Sequence, residues 1–530
     1  MNRNKKPFLI TITLVILGLM ITATASSVPQ TENKQINRMI QWNSNAVSIQ
    51  SERISLSKPY KMPTDSIGVL SGEPLYYGEF PGFDTNGQII VLGFENFDEE
   101  NVYFSYSSDG GTTWDEDAYG WQFDAMPEKP TIAYSSGNIF YGTMVPNWEV
   151  SGEVTLVEFI DGGDPDTWTA GTWDWEDYGI YGFEGASMAS APPDDPLKWG
   201  FITLQGYNGY SGNNADNCPY TMYSTGDGYA TISWLVSGDT GDVLEGCTNP
   251  SNDLDPVKNL NYGIWQRYDS DEGYFNIEMR VDDYEYILGE SPFDTAGEIV
   301  TAENNMNPDI SAYDDNVIIV SETDVLGNND IICYYSFDGM ENFEKSYVAQ
   351  SADDETLPRI VAVEENTAIC SFIKDGTVYS STTEDGGATW SDPEAVSEEE
   401  NVQSADVCSL GNVYDADQTV YFSRGGTAAP ILTIESIAGG IGVTSVIKNV
   451  GNADATDVQW SINLDGFVLI GKSASDTIST IAAGETKEIK SGFPLGFGNI
   501  DIAVSATCAE GASASESASG KLLLFFIIGL

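Results

Sequence analysis

The chain has 530 residues, with 22 Lys+Arg, 81 Asp+Glu and no His, so its formal net charge is −59. Its length exceeds one ordinary domain, and its 41% hydrophobic and 12% aromatic content excludes a disordered acidic chain. The absence of His excludes Ser-His-Asp triads and His-ligated metals, and the negative charge excludes a nucleic-acid partner, because phosphate binding needs a basic surface.

Residues 1–25 are typical of a secretory signal peptide. A basic start at Arg3, Lys5 and Lys6 precedes an apolar run at 8–21 and the small residues 23–25. The protein is therefore expected to be secreted or at the cell surface. The alternative is an uncleaved anchor, and a membrane is expected as a partner only in that case.

Two segments, 107–114 and 383–390, share the pattern [Ser/Thr]-x-Asp-x-Gly-x-Thr-Trp, and a third at 336–343 ends in Phe. Asp-Gly between apolar runs predicts a hairpin turn, in which Ser/Thr and Asp bond the local backbone. The Trp is expected to bury its ring, so the motif shapes a turn and performs no chemistry. The motif residues are Ser107, Asp109, Gly111 and Trp114, then Ser336 and Asp338, then Thr383, Asp385, Gly387 and Trp390.

Short strand patterns surround these turns, and weaker turns at 161, 227 and 283 extend the series. The turns recur about every fifty residues with four strands per unit, which is typical of a β-propeller blade. Two later strands, 405–411 and 419–423, need partners, which strands at 46–50 and 53–57 are expected to supply. The sequence predicts an all-β fold over 26–427, a β-propeller of six or seven blades, with seven favoured.

The repeats at about 60–425 resemble the Asp-box (bacterial neuraminidase) repeats of the sialidase superfamily, which contains glycosidases and non-catalytic propellers. The resemblance implies three arginines that clamp a substrate carboxylate, an Asp acid/base and a Tyr nucleophile activated by Glu. The family's Arg-Ile-Pro motif is missing here, and the Asp and the Tyr-Glu pair have no assignable residues. The arginines that could face a central pocket are Arg267, Arg359 and Arg424.

Residues 428–530 differ in composition from the preceding chain, being less acidic. The segment 448–458 resembles CARDB-like, immunoglobulin-type modules of secreted prokaryotic proteins, which implies a small β-sandwich that spaces or attaches the main domain. The apolar run 521–530 is too short to cross a bilayer. It is interpreted as a buried edge or closing strand, with a truncated anchor as the alternative.

The sequence also contains candidates for a calcium site and for a disulfide. Ca²⁺ is a candidate cofactor, because it binds loop carboxylates, and the candidate ligands are Asp253, Asp255, Asp269 and Asp271. Cys218 and Cys247 lie in polar, turn-rich sequence and form the favoured disulfide pair. The other four cysteines lie in apolar strands, which is typical of small buried residues.

The aromatic-rich segments 168–175 and 178–181 could stack on sugars or pack between blades, and packing is favoured. The leading hypothesis is a non-catalytic propeller that binds an extracellular glycan or a cell-surface protein. The alternative is a sialidase-like glycoside hydrolase acting on extracellular glycans. An arginine cluster at the propeller centre would favour the hydrolase.

Overall fold

The computed structural model describes three short strands before residue 73 and then residues 73–529 with gaps. The gaps are 97–100, 122–126, 147–151, 177–178, 191–197, 209–214, 226–228, 235–243, 259, 271–272, 284–294, 300–302, 341, 398, 425–429, 431, 450–452, 483–484 and 510. The predicted signal segment 1–25 and the predicted strand 46–50 lie outside the described residues. No helix among the described residues is long and apolar enough to span a bilayer.

The described residues before 300 are almost entirely β-strands. Four come first: β1 (Gln30–Thr31), β2 (Met39–Trp42), β3 (Ile54–Ser57) and β4 (Glu73–Tyr77). Sheet 1 then contains β5 (Glu79–Thr85), β6 (Ile90–Asn96), β7 (Asn101–Ser107) and β8 (Asp117–Gly120). Sheet 2 contains β9 (Pro127–Ser136), β10 (Ile139–Pro146), β11 (Glu153–Phe159) and β12 (Trp168–Asp174), with a 3₁₀ turn at Pro165–Thr167. Sheet 3 contains β13 (Ile180–Ser190), β14 (Lys198–Asn208), β15 (Ala215–Thr225) and β16 (Tyr229–Trp234), and sheet 4 contains β17 (Cys247–Leu254), β18 (Leu260–Asp269), β19 (Tyr274–Asp283) and β20 (Thr295–Ile299).

The same pattern of successive antiparallel strands continues to residue 424. Sheet 5 contains β21 (Met306–Tyr313), β22 (Asn316–Thr323), β23 (Asp330–Ser336) and β24 (Glu344–Ala349). Sheet 6 contains β25 (Glu355–Glu364), β26 (Thr367–Lys374), β27 (Thr377–Thr383) and β28 (Glu394–Ala395), and sheet 7 contains β29 (Val402–Cys408), β30 (Gly411–Ala416) and β31 (Thr419–Arg424).

The first strands of these sheets form a central ring. Each of β5, β9, β13, β17, β21, β25 and β29 contacts the next in that order, and β29 contacts β5. Apolar residues of neighbouring sheets pack into shared cores, for example Phe104 of sheet 1 with Phe159 of sheet 2. This radial arrangement of antiparallel sheets is a β-propeller.

The early strands complete the outer edges of later sheets. β4 pairs with β31 and is the fourth strand of sheet 7, with Thr419 opposite Tyr77. β3 pairs with β8 at the edge of sheet 1, with Ile54 opposite Gly120. β1 and β2 extend sheets 4 and 3. The prediction that 53–57 closes sheet 7 was therefore wrong, because that segment lies at the edge of sheet 1.

The C-terminal strands form two further sheets that share one apolar core. The three-stranded sheet contains β32 (Leu432–Ala438), β34 (Thr444–Asn449) and β37 (Thr486–Lys490). The six-stranded sheet contains β33 (Gly440–Ile441), β35 (Ala455–Ile470), β36 (Ser473–Ile481), β38 (Leu495–Thr507), β39 (Ser513–Leu524) and β40 (Phe526–Ile528). The run 521–530 falls in β39 and β40, but it is only partly buried. Leu522 and Ile527 are buried, whereas Leu523, Leu524, Phe526 and Ile528 are exposed.

Candidate functional site

Of the seven central strands that the structure describes, five begin with the same irregularity, a non-glycine residue at positive φ followed by proline. A register shift at this point shows that each strand bulges there. The five residues are Phe80 (φ 49°), Lys129 (50°), Asn249 (50°), Asn307 (48°) and Leu357 (51°).

Four of these bulges are held by a side chain from the preceding sheet. The backbone N–H of the positive-φ residue donates to a Glu or Gln oxygen on that sheet's second strand. The pairs are Lys129 to Glu95 (2.5 Å), Asn249 to Gln205 (2.9 Å), Asn307 to Gln266 (2.7 Å) and Leu357 to Glu322 (2.8 Å). We call these four contacts the bulge clamps.

The bulges gather a set of side chains at one end of the central ring, because all five lie at the start of their strands. Phe80, Lys129 and Asn249 are exposed, and Asn307 and Leu357 are partly exposed. We call these five residues the mouth ring. Asn249 Nδ2 donates to Asn307 Oδ1 at 2.6 Å, and Asn307 Nδ2 donates to Glu322 Oε1 at 2.7 Å. Left-handed backbone at a non-glycine residue is strained, and such strain and bulges concentrate at functional sites.

A second layer, deeper in the ring, consists of carboxylates that connect neighbouring central strands. Each accepts a hydrogen bond from a backbone N–H of the next strand around the ring. The pairs are Asp84 with Tyr134 (2.6 Å), Asp253 with Ala312 (2.9 Å), Asp309 with Ile360 (2.8 Å) and Asp406 with Phe83 (3.2 Å). We call these four aspartates the axial carboxylates.

Burial shifts the acidity of three axial carboxylates. It raises the pKa of Asp84 to about 7 and the pKa values of Asp253 and Asp406 to about 6, although backbone N–H donors oppose the shift. Carboxyl groups with pKa values near neutrality are candidates for general acid/base catalysis. Their oxygens are already engaged, however. The second oxygen of Asp84 accepts from Thr85, and that of Asp406 from Val407.

The three arginines singled out from the sequence have separate sets of partners. Arg267 donates to Glu278 at 2.9 Å and to the carbonyl of Glu245 at 3.2 Å. Arg359, on the central strand β25, donates to the carbonyl of Pro358, and its charge opposes the rise in the pKa of Asp406. Arg424 donates to Thr112 at 3.3 Å, in the turn of the first sheet. These contacts do not form a three-arginine carboxylate clamp.

The three Asp-Gly turns have matching internal hydrogen bonds. In the first, the Ser107 hydroxyl donates to Asp109 and accepts from Gly111 N–H, while Asp109 also accepts from Thr113. Thr383, Asp385, Gly387 and Thr389 form the same bonds in the third turn, and Ser336, Asp338, Met340 and Asn342 form them in the second.

The aromatic side chain of each turn packs toward the preceding sheet. The Trp114 ring centroid lies 5.4 Å from that of Phe422 in sheet 7. Trp390 Nε1 donates to Ser346 of sheet 5 at 3.3 Å, and Phe343 belongs to a core shared with sheet 4. These turns lie between the third and fourth strands of their sheets, and their aromatic side chains contact the preceding sheet, which indicates a structural role.

The candidate calcium ligands that the structure describes lie in different environments. Asp253 is an axial carboxylate, and Asp255 Oδ1 accepts from the backbone N–H groups of Val257, Lys258 and Asp314. Asp269 ends β18, and Asp271 lies outside the described residues. Among the residues that the structure describes, no three His, Cys, Asp or Glu side chains are grouped as metal ligands.

The cysteines and the clustered tryptophans are internal. Cys218, on β15, and Cys247, at the start of β17, are both buried, and their pairing stays a prediction.

Trp168, Trp173 and Trp175 are also buried, so they pack within the propeller and do not present a sugar-stacking surface.

Sequence reasoning missed the mouth ring and three of the four axial carboxylates; the fourth, Asp253, was singled out only as a candidate calcium ligand. A signal for the first was present, because an Xaa-Pro dipeptide opens five of the central strands. These are Phe80-Pro81, Lys129-Pro130, Asn249-Pro250, Asn307-Pro308 and Leu357-Pro358. The clamping Glu and Gln side chains carry no such signal, because they lie on the preceding sheet, far in sequence from the bulges that they hold.

No protein-family model and no curated protein matches the chain. Several solved propeller structures are similar to it at low identity. The β-propeller domain of the Trilobed protease from Pyrococcus furiosus is 10% identical with a TM-score of 0.35, over 66% of this chain and 95% of that domain. An exo-β-1,3-galactanase from Phanerochaete chrysosporium is 11% identical with a TM-score of 0.32, over 90% of this chain and 100% of the enzyme. An acylaminoacyl peptidase from Pyrococcus horikoshii is 10% identical with a TM-score of 0.35, over 70% of this chain and 58% of the peptidase. Values this low assign neither activity nor ligand.

Proposed function

We propose that the protein is a non-catalytic β-propeller that binds a neutral glycan at the mouth ring. The observation that carries the proposal is the repeated bulge, which directs one phenylalanine, one lysine and two asparagines to the same end of the central ring. Asparagine amides suit sugar hydroxyls because they both donate and accept hydrogen bonds. The exposed Phe80 ring offers an apolar surface on which a sugar face can stack.

Charge favours a neutral ligand over an acidic one. With a formal net charge of −59, the protein repels anionic sugars at long range. The separate partners of Arg267, Arg359 and Arg424 offer no bidentate clamp for a sialic-acid carboxylate. A neutral oligosaccharide is therefore a better candidate than a sialoside.

A glycoside hydrolase is the second candidate, because Asp84 and Asp406 have raised pKa values near the ring centre. Hydrolysis needs one protonated carboxyl group and one ionised carboxylate across the scissile bond. The internal hydrogen bonds of both residues favour a structural role, which places this candidate second.

We further propose a seven-bladed member of the sialidase superfamily, exported by residues 1–25 and attached through an immunoglobulin-type C-terminal module. Seven sheets in one ring of contacts support the blade number, and the matching Asp-Gly turns support the resemblance. The shared core of the two C-terminal sheets is compatible with a sandwich module.

Calorimetric titration of the full chain with a panel of neutral and sialylated oligosaccharides tests the binding proposal. We expect a neutral oligosaccharide to bind, and binding to fall at least tenfold in Phe80→Ala and in Asn249→Ala. Phe337→Ala is the matched control, because Phe337 is exposed in an Asp-Gly turn at the opposite end of the strands. No binding by any oligosaccharide, or equal weakening by Phe337→Ala, would contradict the mouth ring as the site.

Mass spectrometry of the same mixtures, which detects released sugar, distinguishes the glycoside hydrolase from the non-catalytic propeller. Released sugar that disappears in Asp84→Asn would support the hydrolase. Binding without release supports the non-catalytic propeller.

A further inference from the structure

One end of the six-stranded C-terminal sheet exposes a group of large apolar side chains. Each is between 46% and 66% exposed. The residues are Ile441, Phe467, Leu469, Ile470, Phe493, Phe497, Leu523, Leu524, Phe526 and Ile528. We call this group the apolar end.

The apolar end is continuous across neighbouring strands. The ring centroids of Phe467 and Phe497 are 4.9 Å apart. Phe497 pairs with Leu523 across β38 and β39, Leu523 pairs with Phe526 across β39 and β40, and Phe526 pairs with Ile441 across β40 and β33. Soluble proteins rarely expose a continuous apolar surface of this kind without a partner.

The outward face of β39 changes abruptly from polar to apolar. Alternate residues of a strand lie on one face. On this face of β39, Ser515, Ser517, Ser519 and Lys521 are exposed and polar, and Leu523 is exposed and apolar. The apolar surface therefore occupies one end of the sheet and stops at a sharp boundary.

The charge pattern at this end is opposite to that of the whole protein. The segments 439–443, 466–472, 490–500 and 520–530 contain no Asp or Glu, although the chain has 81 acids. Three lysines lie in them, of which Lys472 and Lys521 are exposed at the border and Lys490 pairs with Glu488 at 2.5 Å. Acids resume at Asp465 and Asp501.

We propose that the apolar end inserts into the interface of a phospholipid bilayer, independently of any ligand at the mouth ring. Phenylalanine and leucine side chains enter the headgroup and acyl boundary, while lysine ammonium groups reach the lipid phosphates. The lack of carboxylates removes the main desolvation cost of this step. A second copy of the chain is the less suitable occupant, because it would bring two bodies of net charge −59 together.

Vesicle flotation of the full chain tests the proposal, with vesicles of phosphatidylcholine alone and of phosphatidylcholine with 30% phosphatidylglycerol. Because the contact is mainly apolar, we expect binding to phosphatidylcholine that persists in 1 M NaCl. The double variant Phe467→Ser/Phe497→Ser is expected to bind at least tenfold more weakly. Leu326→Ser is the control, since Leu326 is 60% exposed on the propeller.

Thermal unfolding verifies that each variant is folded, and Leu523→Ser is a second, smaller change if the double variant is not. Sedimentation of the same proteins examines self-association. Absence of vesicle binding, equal binding by wild type and the folded variants, or a dimer that the variants abolish would each overturn the proposal. Loss of glycan binding would leave it unaffected.

Discussion

The Glu322 carboxylate, on the second strand of sheet 5, accepts a hydrogen bond from the backbone N–H of Leu357 in sheet 6 at 2.8 Å. Leu357 has a φ of 51°, a conformation that costs an L-residue energy unless its surroundings hold it. Glu322 also accepts from Asn307 and Asn329, so one side chain connects two sheets.

Replacement of this acceptor is expected to destabilise the propeller. Glu322→Ala leaves the Leu357 N–H without this partner in a partly buried place, which costs about 1–3 kcal/mol of unfolding free energy. Glu322→Gln keeps an acceptor oxygen and is expected to lose less than half as much. Urea denaturation measures both, with the exposed Glu365→Ala as control, and equal stability of Glu322→Ala and wild type would refute the clamp.

Two glycines of sheet 1 at positive φ form a matched pair, Gly111 in its Asp-Gly turn and Gly87 in the turn between β5 and β6. A Cβ at Gly111 would collide with the Phe422 ring of sheet 7, and the φ of Gly111 is 83°. Gly87 has a φ of 91° but open space around it. We expect Gly87→Ala to cost about 1 kcal/mol, from backbone strain alone, and Gly111→Ala to cost about 3 kcal/mol, because packing is also lost. Similar melting temperatures for the two variants would show that the turn does not pack on sheet 7.

The raised pKa of Asp84 predicts a dependence of stability on pH. The native state keeps the proton of Asp84 up to about pH 7, whereas the unfolded chain loses it near pH 4. The native state thus binds more protons in this window, and its stability falls as the pH rises.

Asp84→Asn removes this contribution. Between pH 5 and pH 8 we expect wild type to lose about 1 kcal/mol more stability than the variant, a value reduced for the partial exposure of Asp84. Chemical denaturation at several pH values measures it. Asp375→Asn, at an exposed position, controls for the general effect of net charge, and parallel pH curves for wild type and Asp84→Asn would contradict the prediction.

A buried ion pair inside sheet 4 should be sensitive to loss of one partner. Arg280 Nε lies 2.6 Å from Asp282 Oδ1, and both side chains are almost fully buried. Asp282→Ala removes the Asp282 carboxylate from a buried guanidinium and is expected to cost about 3–5 kcal/mol. Glu485→Ala breaks the exposed pair with Lys487 and should cost under about 1 kcal/mol. Thermal unfolding that ranks the two variants equally would argue against the pair.

The fold could be predicted to the extent that local patterns determine it. The turns at Asp109, Asp338 and Asp385 depend on side chains bonding their own backbone, which the sequence displays directly. The partner of residues 53–57 could not be chosen in this way. That strand pairs with 117–120. The pairing depends on which sheet edge lies near residues 53–57 once the ring has formed, and no local pattern indicates this.

The candidate site was harder to predict for a related reason. The bulge at Asn307 is visible in the sequence as the dipeptide Asn307-Pro308. Its clamp, Gln266, lies on another sheet and cannot be identified from the sequence. Likewise, nothing near Asp84 in sequence distinguishes it from the other acids of this chain. Its acidity is altered only after folding buries it beside Tyr134.

The pairing of Glu73–Tyr77 with β31 has a consequence for synthesis of the protein. During synthesis β4 leaves the ribosome early, whereas its partner strand, Thr419–Arg424, follows hundreds of residues later. Until then the growing propeller has unsatisfied strand edges, which invite aggregation. Assembly of the ring is thus a late event with a high contact order, and a chain released before Arg424 cannot complete it.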